Sequence, residues 1–270
     1  SWGINTMNDT RGDGAKVDTD NPDNLRFHYM WHGKLPSFTR YDNIGGPIWS
    51  SALWVEPGDT VGRLAASQFA GVVTLHADVS ATDKNDDPLQ PSTTSWEGSD
   101  ETNTSNNDAY NKAKMQSEYT WMARGHKSPR HANAVEPSDY EGFINPTGDP
   151  ALSTPGGFSF TNGYGPYTLA PGDSITLVFA EGVAGISREF ATETGIKYKT
   201  GQIDKVEKNR VVFQSRDSLF QTFRRANANY QSGYNIPHPP LPPKIFNVNG
   251  GGDRIQLSWE TYDDPGTNLE

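Results

Sequence analysis

The histidines, the aspartate runs and a few tryptophans are the side chains whose type and spacing could do chemistry in this 270-residue sequence. His28 and His32 have the H-x3-H spacing. On a helix that spacing puts two imidazoles on one face, as zinc proteases require. No Glu follows His28, however, and the surrounding "LRFHYMWHG" alternates like a strand, where residues four apart sit about 13 Å apart. Packing among aromatic neighbours is the expectation for both. "TLHADVSATD" sets His76 and Asp78 on one face of a strand end, and "RGHKSPRHAN" puts His126 and His131 in a loop. If the fold gathers them, a metal or acid–base site results; otherwise they order their loops through hydrogen bonds. Glu181 follows an apolar run and is a further candidate acid, but a glycosidase needs a second carboxylate, and none can be assigned. Nucleophile-elbow, phosphate-loop and dinucleotide signatures do not occur.

The acidic runs point to calcium. "DTRGDG" and "DTDNPDN" supply Asp9, Asp13, Asp18, Asp20 and Asp23, and "DKNDDP" supplies Asp83, Asp86 and Asp87. Calcium takes six to eight oxygens from flexible loops. None of these runs has EF-hand spacing, and the competing reading is a solvated acidic surface. Trp96 and Trp121, in and beside a polar stretch, are candidates for stacking on sugar rings, unless they pin that stretch to the core. The Arg11-Gly12-Asp13 tripeptide is short enough to arise by chance.

Composition limits what can hold such residues. Hydrophobic residues make up only 33%, but aromatics reach 11%, and Gly and Pro number 27 and 19. A few large rings can fill a core between abundant turns, which favours a loop-rich β protein. With no cysteine, disulfides, thiolate catalysis and Cys-bound zinc are excluded. Net charge is −10, and residues 1–110 carry 16 acidic against 7 basic side chains. That imbalance repels nucleic acid. No run approaches the roughly 20 apolar residues of a membrane helix, and no signal peptide is recognisable.

Strands are expected over 25–33, over 48–62 ("IWSSALWVEPGDTVG"), and over 69–80 ("FAGVVTLHADVS"), the last buried. Residues 80–111 and 126–157 read as long loops. A short helix is expected between them, stopped at Gly125. In "GYGPYTLAPGDSITLVFAEGVAG" the second strand is apolar on both faces, which fits a central strand covered on both sides. A helix should begin near Ser187. A stronger one should be capped by Asp217 or Ser218, carry Leu219, Phe223, Ala226 and Tyr230 in one stripe, and end at Gly233. The fold class expected is mainly β, a β-sandwich with two or three short helices over residues 1–234. A proline-rich hinge (235–243) and a strand pair (244–270) follow.

"PPKIFNVNGGGDRIQLSWE" resembles the opening of a fibronectin type III domain: prolines, a strand, a turn, and a second strand whose Trp, here Trp259, enters the core. The resemblance covers about the last 27 residues and implies a truncated segment, with later strands of that fold lacking. "YGPYTLAPGDSITLVFAEGVAG" and the helix ending "ANYQSGYNIPHPPLPP" resemble a module of large secreted and cell-surface bacterial proteins that carry fibronectin type III repeats. This implies an extracellular or cell-surface location and no particular catalysis. The expectation is a non-catalytic structural or adhesive module, a fragment of a longer protein. Its partners would be other domains of that protein, other surface proteins or glycans. The alternatives are a polysaccharide-active enzyme, metal-dependent through the histidines, or a carbohydrate-binding module.

Overall fold

Alternation of large rings with smaller side chains builds the centre of the fold. The computed structural model describes residues 6–11, 25–32, 45–47, 63–98, 110–126, 158–235, 245–250 and 252–260. The elements are β1 (Thr6–Arg11), β2 (Arg26–His32), β3 (Gly45–Pro47), β4 (Leu64–Ala66), β5 (Phe69–Ala77), β6 (Thr93–Gly98), α1 (Lys112–Met122), β7 (Phe158–Gly163), β8 (Leu177–Ala184), α2 (Arg188–Lys199), α3 (Lys205–Gln231), β9 (Ile245–Gly250) and β10 (Ile255–Glu260). All named strand pairs are antiparallel. A four-stranded sheet has the order β1-β2-β5-β8, and β3-β4, β6-β7 and β9-β10 form two-stranded sheets. The chain divides into two units, Ser1–Asn227 and Ala228–Glu270.

Phe27, Tyr29 and Trp31 recur every second residue along β2, so they share one face of the sheet. Their rings meet the long helix α3. Phe27 lies 4.8 Å from Phe220, edge on, and 5.3 Å from Phe223; Tyr29 lies 5.4 Å from Phe220. Phe69 stacks on Trp31 at 5.6 Å and meets Phe213 at 6.2 Å. All of these rings are buried. Burying one such side chain contributes about 1.5–3 kcal/mol over leaving it exposed, which is how a chain with so few hydrophobic residues sustains a core. Glycine lets the helix come close. A Cβ on Gly71 would stand 2.2 Å from the His28 carbonyl oxygen and 3.1 Å from Phe223 Cζ, and one on Gly182 would stand 3.1 Å from Phe223 Cε1.

The fold is therefore a mixed, sheet-rich one in which a helix, and not a second sheet, covers this face of the main sheet. Three helices are present among the described residues, but α3 has 27 residues, so the expectation of short helices fails there. Asp204 Oδ1 accepts the amide of Glu207 and caps α3 thirteen residues before the expected start. Asp217 and Ser218 lie inside the helix. The buried face of its first half carries Lys208, Asn209, Ser215 and Arg216 beside Val212 and Phe213, so no apolar stripe announces it. The Arg216 guanidinium lies over Phe213, 4.2 Å from the ring centre, and 5.2 Å from Phe220, filling its place as a flat cation on rings. The expected stops hold: Gly125 and Gly233 take positive φ, +82° and +64°. Ser187 caps α2 and Asn111 caps α1 through their side chains.

Three further expectations need correction. Among the described residues β8 stands at the end of the strand order, and Phe179 and Val183 are 58% and 64% exposed, so it does not have the place of a central strand covered on both faces. The stretch 80–111 is not one long loop. β6 lies within it, paired with β7, its Thr and Trp residues favouring the pleated form. Asp9 lies on β1 opposite Tyr29 and not in a loop. The strand expected at 48–62 and the hinge prolines lie outside the described residues.

In the second unit β9 and β10 form a hairpin in which Phe246 faces Trp259 and Val248 faces Leu257. Strict alternation puts these four on one face and Asn247, Asn249, Gln256 and Ser258 on the other.

Candidate functional site

Where β5 ends, the chain gathers charged residues. A register shift between Thr74 and His76 breaks the ladder to β8, and His76 points to the segment that follows. Its Nε2 donates to Asp78 Oδ1 at 2.9 Å, and its Nδ1 stands 3.9 Å from Asp86 Oδ1. Asp78 is buried. Its second oxygen accepts from Lys84 Nζ at 2.8 Å and from the Thr176 amide at 2.7 Å. Lys84 and then His76 hold the Asp78 carboxyl well below the usual carboxylate range, against the opposing effect of burial. Asp86 takes both oxygens to Arg26 Nη2 at 2.9 Å, and its Oδ1 also accepts the Ala77 amide.

Arg26, at the start of β2, is the other half of this knot. Its Nη1 donates to the backbone oxygens of Asp87 and Gln90 at 2.7 and 2.9 Å. Gln90 continues the chain of bonds: its Oε1 accepts the amides of Gly165 and Ser92, and its Nε2 donates to Asp87 Oδ2. Lys84 Nζ also donates to the Ser174 oxygen at 2.7 Å. The segment 78–90 is thus tied to β2 on one side and to residues 165–176 on the other. Beside it Thr74 and Tyr164 share a hydrogen bond of 2.8 Å. The Tyr167 hydroxyl is buried with no hydrogen-bond partner among the described residues. Burial first, then the negative charges of Asp87 and Asp78, raise its phenol above the ordinary value.

The structure brings together His76, Asp78 and Asp86, of the residues singled out from sequence. Asp83 and Asp87 lie in the same segment but work as turn formers. Asp83 Oδ1 accepts the amide and side chain of Asn85, and Asp87 Oδ1 accepts the Leu89 amide. His126 shares a 2.9 Å hydrogen bond with Thr94 of β6 and bridges it in parallel. His28 is buried with its ring 4.5 Å from that of Phe160 on β7, the packing role expected of it. His32 ends β2. Glu181 is exposed on β8. Trp121 is the buried residue of α1, and Trp96 is half-buried opposite Phe160. His131, Asp13, Asp18, Asp20 and Asp23 lie outside the described residues. Among the described residues no group of three or more His, Asp or Glu is arranged to hold a metal ion, and no helix is long and apolar enough to cross a membrane.

Sequence reasoning did not find Arg26, Lys84, Gln90, Tyr164 or Tyr167. Arg26 carried a signal, a lone cation at the head of an apolar strand whose burial demands anionic or carbonyl partners. Gln90 and the tyrosines carried none.

Chemically the two carboxylates are fully engaged. Each oxygen of Asp78 and Asp86 already accepts at least one donor from the same chain, and His76 Nε2 is committed to Asp78. A general base needs a free acceptor facing substrate, and a cation site needs several unclaimed oxygens. The two carboxylates leave no unclaimed oxygen for a cation. A shallow depression of about 460 Å³ runs along α2, lined by Arg188, Glu189, Thr192, Glu193 and Ile196, on a different element. Compared with protein-family models, curated proteins and solved structures, the chain matches none of them.

Proposed function

We propose that the chain is a non-catalytic structural or adhesive module of a longer secreted or cell-surface protein. The observation that supports this reading is that His76, Lys84, Arg26 and backbone amides occupy the oxygens of Asp78 and Asp86. Its polar groups spend their hydrogen bonds on fastening segments of the chain, which is the use of a scaffold. The sandwich reading is proposed in a narrower form: the β6-β7 ribbon, which meets β2 through Phe160 on His28, belongs to a second layer on the face opposite α3. The extracellular location and the fibronectin type III-like character of β9-β10 rest on the resemblance of their sequences. The hairpin's alternation of apolar and polar faces supports the second of these.

Turnover decides between module and enzyme. The wild-type chain and a His76→Ala variant are assayed for hydrolytic and oxidative activity across a polysaccharide panel, with circular dichroism as the check on folding. No turnover from either is expected. Turnover by the wild type that disappears in folded His76→Ala would overturn the proposal.

A further inference from the structure

The face of the main sheet opposite α3 is covered unevenly. At β2 it is closed: His28 and Met30 are buried, with Phe160 over His28. At β8 it is open. Leu177, Phe179, Glu181 and Val183 alternate along the strand, and all four are exposed. Phe179 and Val183 are more than half accessible. β8 also ends the strand order, and among the described residues only β5 pairs with it. An edge strand presents backbone donors and acceptors that proteins normally blunt, and here the exposed apolar ledge lies beside that edge.

We propose that β8 accepts an added strand from another polypeptide, an extended segment with apolar, basic and apolar residues at alternate positions. The backbone edge dictates the occupant's form, because only an extended chain can satisfy a row of sheet donors and acceptors. The ledge dictates its side chains. Directly opposed residues on one face of a sheet sit about 4.5–5.5 Å apart, so apolar residues would cover Phe179 and Val183, and a Lys or Arg between them would meet Glu181. The same carboxylate disfavours a second copy in the symmetric register that sets Phe179 against Val183, since Glu181 would then face Glu181. The proposal goes beyond the module reading. That reading is tested by turnover and this one by strand addition, so either can fail without the other.

The probe is a fluorophore-labelled peptide, acetyl-Thr-Val-Thr-Lys-Thr-Val-Thr-amide, titrated with the full chain and read by anisotropy. Its counterpart carries Glu for Lys, and a third version is N-methylated at the valine and lysine amides, which an antiparallel strand set against Phe179, Glu181 and Val183 turns toward β8. Saturable binding of the Lys peptide is expected, roughly tenfold weaker for the Glu peptide and inverted by Glu181→Lys. N-methylation should abolish binding. Absence of saturable binding, binding indifferent to the charge swap, or binding that survives N-methylation would each overturn the proposal. Two further results would do the same. One is a dimer of the chain alone in sedimentation that Glu181→Gln strengthens; the other is slow hydrogen exchange of the outward β8 amides without peptide. These would assign the edge to a second copy or to the chain itself.

Discussion

Replacing Arg26 by Ala tests whether the polar knot is a fastening. The guanidinium makes two kinds of bond. Two go to backbone oxygens, those of Asp87 and Gln90, at a site where the Arg side chain is only 7% exposed. Two go to the Asp86 carboxylate, which is 41% exposed. Bonds from a charged donor contribute about 1.5–3 kcal/mol each when buried. The bidentate ion pair, screened by solvent on the Asp86 side, contributes only about 1 kcal/mol. The bonds are not additive, and water can enter the space left behind, so Arg26→Ala should destabilise the first unit by about 3–5 kcal/mol. Urea unfolding followed by tryptophan fluorescence measures this. A double-mutant cycle with Asp86→Ala separates the two kinds of bond: the coupling should be about 1 kcal/mol, and most of the Arg26→Ala loss should persist when Asp86 is already gone. Hydrogen exchange should also speed up across residues 78–90. If Arg26→Ala costs less than about 1 kcal/mol, or if Asp86→Ala removes its effect, the backbone bonds are not what holds this segment and the reasoning fails.

Other consequences can be measured on the same chain. Because the Asp78 pKa is depressed in the folded state, the stability it lends is in place above the unfolded value of about 3.9 and is lost as pH falls below that toward the folded value. Urea midpoints measured from pH 7 to pH 3 should drop below about pH 4 in the wild type and drop less in Asp78→Asn; parallel profiles would contradict this. Gly71→Ala should destabilise by about 1–3 kcal/mol or more, because the new Cβ meets backbone at His28 that cannot rotate aside. A thermal scan of that variant is the check, and an unchanged Tm would argue against the close sheet–helix approach. Phe220→Ala should cost about 3–5 kcal/mol through the cavity it opens against Phe27 and Tyr29, read by the same scan.

How much of this was legible in the sequence follows from the range of the forces involved. β2 and β5 could be read because alternating rings report a buried face directly, and the stops at Gly125 and Gly233 could be read because positive φ selects glycine. The start of α3 could not. Lys208, Asn209 and Arg216 occupy its buried face, so the amphipathic signal appears only from Leu219 onward. β6 was hidden for the opposite reason: its polar Thr and Ser residues look like loop until a partner strand, β7, arrives from some sixty residues away. Of the site, the pair His76 and Asp78 was visible as two residues on one strand face. Asp86 was visible as a calcium candidate, but the bonds of Asp78 to Thr176 and of Asp86 to Arg26 were not, because they form through tertiary folding and leave no local pattern.

The difference between a reactive dyad and a structural one lies in those distant partners. A histidine beside an aspartate is a common start for acid–base chemistry, since the carboxylate orients the ring and leaves the other nitrogen to act. Here the second ring nitrogen does not face open space but stands 3.9 Å from Asp86. Asp86 is itself held on both oxygens by Arg26. Moving Asp86 away from the ring would also release the Arg26 side chain from the carboxylate. The knot resists that movement because Arg26 and Gln90 fix the same segment through backbone bonds that a departing Asp86 would not break. What these bonds establish is a segment fastened at several points, through Arg26, Lys84 and Gln90, to strands and turns far from it in sequence.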